Sequence, residues 1–133
     1  MDLLLAAALA RGEAVRQKLA IAEGGPVSTA QAARLLGISQ ATVRRRWRAH
    51  RLMAWKQGRS LRFPVWQFAG GQVMKGIEEV LKIFHCDDQW RLMLYFLSDR
   101  LSLTGRRPLD LLRERKMAEV IDHAKAHAAE NTW

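Results

Sequence analysis

The hydrophobic residues of this chain recur every three or four positions in most segments, and this spacing is typical of α-helices that bury one face. The second half shows four such stripes. Their apolar positions are Val73, Ile77, Val80, Leu81 and Phe84; Trp90, Met93, Leu94 and Leu97; Leu109 and Leu112; and Met117, Val120, Ile121 and Ala124. Strand-like segments are confined to residues 52–63. The pattern therefore predicts a mainly α protein with one small β-hairpin.

Two short helices are predicted between Ser28 and His50. The hydroxyl of Ser28 can cap the first helix, and Gln31, three residues later, completes a capping box. Gly37 ends that helix, because glycine takes the positive φ that a tight turn needs. Ser39 is placed to cap the second helix. Two helices joined by so tight a turn predict a helix-turn-helix.

A β-hairpin is predicted directly after the second helix. Its strands are residues 52–55 and 60–63, Gly58 marks the turn, and Pro64 ends the second strand. A hairpin in this place is the wing of a winged helix-turn-helix. Four nearby aromatic residues allow two interpretations, stacking platforms for single strands or a hydrophobic core, and their spacing favours the core. They are Trp47, Trp55, Phe63 and Trp66.

The formal net charge of +9 comes from one segment. Residues 28–66 carry nine basic residues and no acidic one, whereas residues 1–27 and 72–133 are each neutral. Glycine-rich breaks at residues 24–26 and 69–71 separate these stretches. We therefore expect three parts: a helical arm for packing or dimerisation (1–25), a winged helix-turn-helix DNA-binding module (26–70), and a helical module (71–133). The residues Ala33, Gly37-Ile38-Ser39 and Thr42-Val43 of the second part resemble a helix-turn-helix of the MerR type.

The candidate DNA contacts follow from this interpretation. The second helix of such a motif enters the major groove and presents its N-terminal residues to base edges. Arginine can form two hydrogen bonds with guanine, and glutamine can form two with adenine. We therefore expect Gln40, Arg44 and Arg45 at base edges. The wing cations should lie at phosphates or in the adjacent minor groove. The full predicted set is Ser39, Gln40, Ala41, Thr42, Arg44, Arg45, Arg48, Arg51, Lys56, Arg59 and Arg62.

Other chemistry finds little support in the sequence. One cysteine, Cys86, excludes an internal disulfide framework, and the longest apolar run, residues 3–10, falls short of the roughly 20 residues of a membrane span. His123 and His127 stand one helical turn apart beside Glu119, but no fourth metal ligand is evident. We expect no enzymatic activity, no cofactor, no metal and no membrane association, in a reducing cytoplasm.

Several strings between residues 62 and 112 resemble those of a known family. They are Arg62-Phe63-Pro64, Trp66-Gln67-Phe68, residues 77–81, Trp90-Arg91, Phe96-Leu97 and Gly105-Arg106-Arg107-Pro108-Leu109-Asp110-Leu111-Leu112. Across roughly residues 28–130 the chain resembles the Xre/MbcA/ParS-type toxin-binding antitoxins, in the branch with a MerR-like helix-turn-helix. The resemblance implies an antitoxin of a type II toxin–antitoxin operon. Such a protein neutralises a RES-type, NAD-degrading toxin or an ADP-ribosylating one, and represses its own promoter.

The resemblance also implies where each partner binds. A four-helix C-terminal module would cover the toxin, with residues 113–133 obstructing its cofactor pocket. The expected toxin-binding residues are Arg106, Arg107, Arg113, Lys116, Glu119, His123, His127 and Trp133. A homodimer on double-stranded operator DNA is expected, because readers of this kind commonly use paired half-sites. The alternative is a MerR- or excisionase-like transcriptional or recombination regulator with a helical dimerisation tail.

Overall fold

The computed structural model describes residues 3–85 and 88–130. The α-helices in these ranges are α1 (Leu3–Ile21), α2 (Thr29–Leu36), α3 (Gln40–Arg48), α4 (Ile77–Phe84), α5 (Gln89–Leu97), α6 (Pro108–Arg113) and α7 (Met117–Glu130). The strands are β1 (Pro26–Ser28), β2 (Trp55–Gln57), β3 (Ser60–Pro64), β4 (Phe68–Ala69) and β5 (Gln72–Val73). This mainly helical architecture, with a winged helix-turn-helix, confirms the predicted fold class. None of the helices described is long and apolar enough to cross a membrane.

The predicted caps form α2 and α3. The Ser28 hydroxyl accepts a hydrogen bond from the Gln31 backbone N–H at 3.1 Å, and the Gln31 side chain accepts one from the Ser28 N–H at 2.8 Å. Gly37 ends α2 in the left-handed conformation, with φ +65°. Ser39 then caps α3 by accepting from the Thr42 N–H at 3.1 Å. The turn between the helices is therefore built by local hydrogen bonds that the sequence specifies.

A three-stranded antiparallel sheet in the order β1-β3-β2 carries the wing. β2 and β3 form the predicted hairpin, but its first strand begins at Trp55 rather than at residue 52. The preceding residues are buried loop, because the backbone of Met53 bonds the side chain of Gln67 instead of a neighbouring strand. The edge strand β1 was not predicted; it pairs Val27 with Phe63, and an edge position tolerates Pro26.

The sequence analysis treated the glycines at residues 70 and 71 as a break between two segments. In the structure they form the turn of a second, small hairpin. β4 pairs antiparallel with β5, and Phe68 lies opposite Val73. The prediction that Val73 belongs to a helix is therefore wrong. Helix α4 begins only at Ile77, after Gly76 has turned the chain at φ +100°.

Four helices make up the C-terminal part, as predicted. The Asp88 carboxylate caps α5 by accepting from the Trp90 and Arg91 N–H groups, and Pro108 occupies the first turn of α6. Cys86 and Trp133, both named in the sequence analysis, lie outside the described residues. The predicted stripe of α5 is corrected at Leu94, which is 43% exposed. Instead α5 buries the residues Leu92, Met93, Tyr95 and Phe96.

Two hydrophobic cores hold these elements together. The smaller core joins α2, α3 and β3 around Val43 and Phe63. The larger core lies among α4–α7, and it also takes Met53, Trp55 and Trp66 from the wing region. Of the helix α1, Leu19 lies buried in this core. The winged helix-turn-helix and the helical module therefore share one core, while the predicted boundaries at residues 25 and 70 stay a prediction.

Candidate nucleic-acid interface

Helix α3 has one buried side and one basic side. Val43 is fully buried, and Trp47, one turn later, packs partly buried against the same small core. Arg45 and Arg48 are exposed on the other side, as is the predicted contact Ala41, and Gln40 is exposed at the first position of the helix. The apolar side thus fixes the orientation of α3 and leaves Gln40 and Arg45, two of the three predicted base contacts, in solvent.

The N-terminus of α3 is shaped by its own hydroxyls. Besides capping the helix, the Ser39 hydroxyl lies 2.9 Å from that of Thr42. The Ser39 hydroxyl therefore already makes two intramolecular hydrogen bonds and the Thr42 hydroxyl one, although each hydroxyl keeps further bonding capacity. Arg44 lies half-buried beside them. The first N–H groups of a helix lack partners within the helix, so this end of α3, with Arg44 near it, favours phosphate.

The cations of the wing lie on the hairpin that follows α3. Lys56 and Arg59 are exposed on the hairpin, and Arg62 is half-buried on β3. Gly58 takes φ +63° in the turn between the strands. Because Phe63 packs into the same core as α3, the hairpin and the helix form one body. The structure therefore brings together the two basic elements that the sequence predicts to contact DNA.

The loop between α3 and the wing is held by side chains from other elements. Gln67, which is fully buried, accepts from the Met53 N–H at 2.9 Å and donates to the Met53 carbonyl at 2.8 Å. Gln89 of α5 accepts from the Ala54 N–H at 3.0 Å. Arg51, a predicted DNA contact, places two guanidinium nitrogens 3.4 Å from the Glu78 carboxylate of α4. This loop therefore links the DNA-binding elements to the helical module.

The aromatic residues of this region belong mainly to the core. Trp55, Phe63 and Trp66 are each buried. The Trp55 ring lies 5.0 Å from that of Trp90 on α5, so the wing is anchored on the helical module. Rings covered in this way are not available to stack on nucleotide bases, which confirms the core interpretation for these three residues.

Two basic residues of the helix-turn-helix were not among the predicted contacts. Arg34 is exposed on α2, and Arg46 is half-buried on α3. Both lie in the segment without acidic residues, so the charge count was the signal that pointed to them. The helical periodicity of α3 places Arg46 beside the buried face of the helix. The predicted contacts on α3 were chosen from outward-facing positions and so did not include Arg46.

Three of the predicted toxin-binding arginines form an ion-pair cluster around α6. Arg107 bonds Asp110 through two nitrogens and Glu23 through one, each at 2.8 Å. Arg113 also reaches Glu23, at 3.0 Å, and Arg106 pairs with Glu114. Hydrogen bonds from Arg107 and Arg113 lower the pKa of Glu23. The cluster therefore connects α6 with the residues that follow α1. The connection is made by the carboxylate of Glu23, which the sequence analysis missed.

The remaining predicted residues lie on or near a shallow polar depression of about 450 Å³ beside α7. Arg106, Lys116, Glu119 and His123 all line it. His127, one turn further, stacks on His123 with ring centroids 5.9 Å apart. The structure thus gathers four of the predicted residues at one surface, whereas Trp133 lies outside the described residues.

His123 is already engaged within the fold. Its Nδ1 lies 2.7 Å from the Tyr95 hydroxyl and its Nε2 lies 2.7 Å from the Ser102 hydroxyl. Burial lowers the pKa of His123, and the nearby Arg100 lowers it further. Among the described residues no three His, Cys, Asp or Glu side chains come together as a metal site would require. Both ring nitrogens therefore serve a hydrogen-bond network that links α5 to α7.

Comparison with known proteins identifies the class of this module. A family model described as a helix-turn-helix domain matches residues 27–69, the segment that contains α2, α3 and the wing. The chain therefore carries a helix-turn-helix domain in this segment, which supports a DNA-binding regulator.

The fold has a counterpart among solved structures. The NMR structure of Rv2175c superposes with a TM-score of 0.66 at 24% sequence identity, covering 80% of this chain and 83% of that chain. At this level of identity the similarity shows the fold alone. A search of curated proteins finds no significant match.

Proposed function

We propose that this protein is an antitoxin of a type II toxin–antitoxin operon. Its winged helix-turn-helix binds operator DNA and represses its own promoter, and its helical module binds and neutralises a RES-type or ADP-ribosylating toxin. The protein acts as a homodimer in the cytoplasm and catalyses no reaction itself. The observation that carries the proposal is one DNA-binding module, basic over residues 28–66, packed on a neutral helical module.

The DNA-binding half of the proposal is supported by geometry. Inserting α3 into a major groove would bring Gln40 and Arg45 to base edges, while Lys56 and Arg59 of the wing reach the backbone. Because no acidic residue lies in residues 28–66, nothing within the module repels phosphate. Its affinity should therefore depend steeply on salt, as counterions are released from the DNA.

The toxin-binding half is supported by the helical module. This part contains ten basic and ten acidic residues, so it has no electrostatic reason to bind DNA. Its polar depression nevertheless gathers Arg106, Lys116 and Glu119, residues that the antitoxin resemblance assigns to the toxin interface. A surface with both charge signs suits a protein partner, whose rim charges set orientation and association rate.

The test is co-expression with the protein encoded beside this chain. We expect the neighbour alone to stop growth and consume NAD, and co-expression to restore growth and yield a stable complex. The double charge reversal Lys116→Glu/Glu119→Lys should weaken the complex, while Lys125→Glu, an exposed change on α7 outside the depression, should not.

The outcome also distinguishes the alternative regulator. A protein that binds its promoter DNA but forms no complex with its neighbour would refute the antitoxin proposal. That result would leave a transcriptional or recombination regulator whose helical module serves dimerisation. Sedimentation of the pure chain would then show a dimer that loses affinity when Leu4 and Leu5 of α1, both well exposed, are replaced by serine.

A further inference from the structure

A second concavity, separate from the polar depression, lies between the β4–β5 hairpin and the start of α7. It is a groove of about 600 Å³, a volume in the range of sites that bind ligands or peptide side chains. Its floor is apolar, with Val73, Leu112 and Met117 among the lining residues. The groove joins the edge of the helix-turn-helix region to the helical module, and neither the DNA surface nor the polar depression accounts for it.

The floor of this groove is preformed. Leu112 is buried in the large core, and Val73 packs against both cores. A Cβ atom on Gly76 would lie 2.6 Å from Leu112 Cδ2 and 3.0 Å from Met117 Cγ. The absence of a side chain at Gly76 therefore lets these residues close over the chain. Met117 remains 36% exposed, so part of a flexible, polarisable side chain faces solvent.

The rim of the groove is positive. Lys75, Arg113 and Arg115 line it, and no carboxylate lines it among the described residues. Arg113 is engaged with Glu23 and with Asp110. No ion pair is found for Lys75 or Arg115 in the described ranges, so two positive charges are left without compensation beside an apolar floor.

We propose that this groove binds a short acidic, amphipathic peptide segment of a partner protein. Its apolar side chains would cover Val73 and Met117, and its carboxylates would pair with Lys75 and Arg115. A DNA backbone would use the two cations but leave the apolar floor uncovered, which disfavours it as the occupant. The proposal adds a second contact surface for the toxin beside the polar depression, and in that respect it rests on the proposed function.

The test is an NMR titration of the full ¹⁵N-labelled chain with a 12-residue peptide of leucine and glutamate, leucine recurring at helical spacing. We expect amide shifts around Val73 and Met117, and no binding of the same peptide with lysine for glutamate. The variant Lys75→Gln/Arg115→Gln should weaken binding at least about fivefold, since each exposed pair contributes modestly. The matched control is Lys82→Gln/Lys125→Gln, exposed lysines that do not line the groove.

Three results would overturn the groove proposal. They are equal binding of both peptides, shifts confined to α3 and the wing, and displacement of the peptide by a short DNA duplex with shifts at Met117. The neighbouring protein provides the separating experiment. If it binds and the Lys75→Gln/Arg115→Gln variant binds it equally well, the groove proposal fails and the antitoxin proposal stands. If the peptide binds in the groove but the neighbouring protein does not bind, the antitoxin proposal fails and the groove proposal stands.

Discussion

The buried amide of Gln67 gives the sharpest test of how the wing is positioned. Replacing it by leucine keeps the volume of the side chain and removes both hydrogen bonds to Met53, which measure 2.9 and 2.8 Å. Met53 is itself fully buried, so no water reaches the N–H and carbonyl that lose their partner. The variant therefore creates two unsatisfied buried backbone groups.

The expected cost follows from these two groups. Each unsatisfied buried donor or acceptor costs about 1–3 kcal/mol. The new leucine recovers part of this by burying apolar surface where the amide lay. We expect Gln67→Leu to lower the free energy of unfolding by about 2–4 kcal/mol, a large share of the 5–15 kcal/mol typical of a domain.

The assay is urea unfolding followed by tryptophan fluorescence and circular dichroism. Gln57→Leu is the matched control, because it makes the same substitution at an exposed position of the wing, where changes usually stay within about 0.5 kcal/mol. A Gln67→Leu midpoint equal to that of the control, with an unchanged m-value, would refute the reasoning. It would mean that the backbone of Met53 finds other partners.

Further predictions concern DNA binding, backbone strain and pH. Arg44→Ala should lose about 1–3 kcal/mol of sequence discrimination, whereas Arg59→Ala should weaken binding to all sequences and reduce the salt slope by about one unit, both measured by fluorescence anisotropy. Gly76→Ala should cost about 1–3 kcal/mol in urea unfolding, because φ is +100° and the new Cβ meets a side chain at 2.6 Å, while Gly12→Ala, in open space on α1, should stabilise by about 0.5–1 kcal/mol. Burial lowers the pKa of His123 below 6.5, so the unfolded chain binds the proton more readily, and stability should be complete above pH 6.5 and decline as the pH falls. His123→Gln should flatten that decline when unfolding is measured between about pH 5 and pH 8.

Local signals in the sequence predicted the helix-turn-helix well. The caps at Ser28 and Ser39 and the left-handed turn at Gly37 all depend on residues within three or four positions of one another, and the structure confirms each. Hydrophobic spacing likewise predicted the four C-terminal helices. Interactions of this range leave a direct trace in the order of residues, since the same few side chains specify the geometry and satisfy the helix ends.

The contacts that position the candidate site are of longer range. Gln89 bonds Ala54 across 35 positions, and Arg107 bonds Glu23 across 84. The third strand β1 depends on a partner, Phe63, that lies far along the chain, and its three residues show no periodicity of their own. These pairings are decided by how the elements pack, and a pattern read along the chain does not encode them.

The shared core leads to a prediction about the segment 26–70 by itself. The charge of this segment and its match to a helix-turn-helix model set it apart from the rest of the chain. Its residues Met53, Trp55 and Trp66 nevertheless bury their side chains against the helical module. Exposing them would forfeit about 1.5–3 kcal/mol for each, in total comparable to the whole stability of a small domain. We expect a 26–70 fragment to show poorly dispersed ¹H–¹⁵N spectra and no cooperative melting, whereas the full chain shows both dispersion and cooperativity. A fragment that melts cooperatively and binds DNA as tightly as the full chain would show instead that the small core around Val43 suffices, and that the helical module is dispensable for DNA binding.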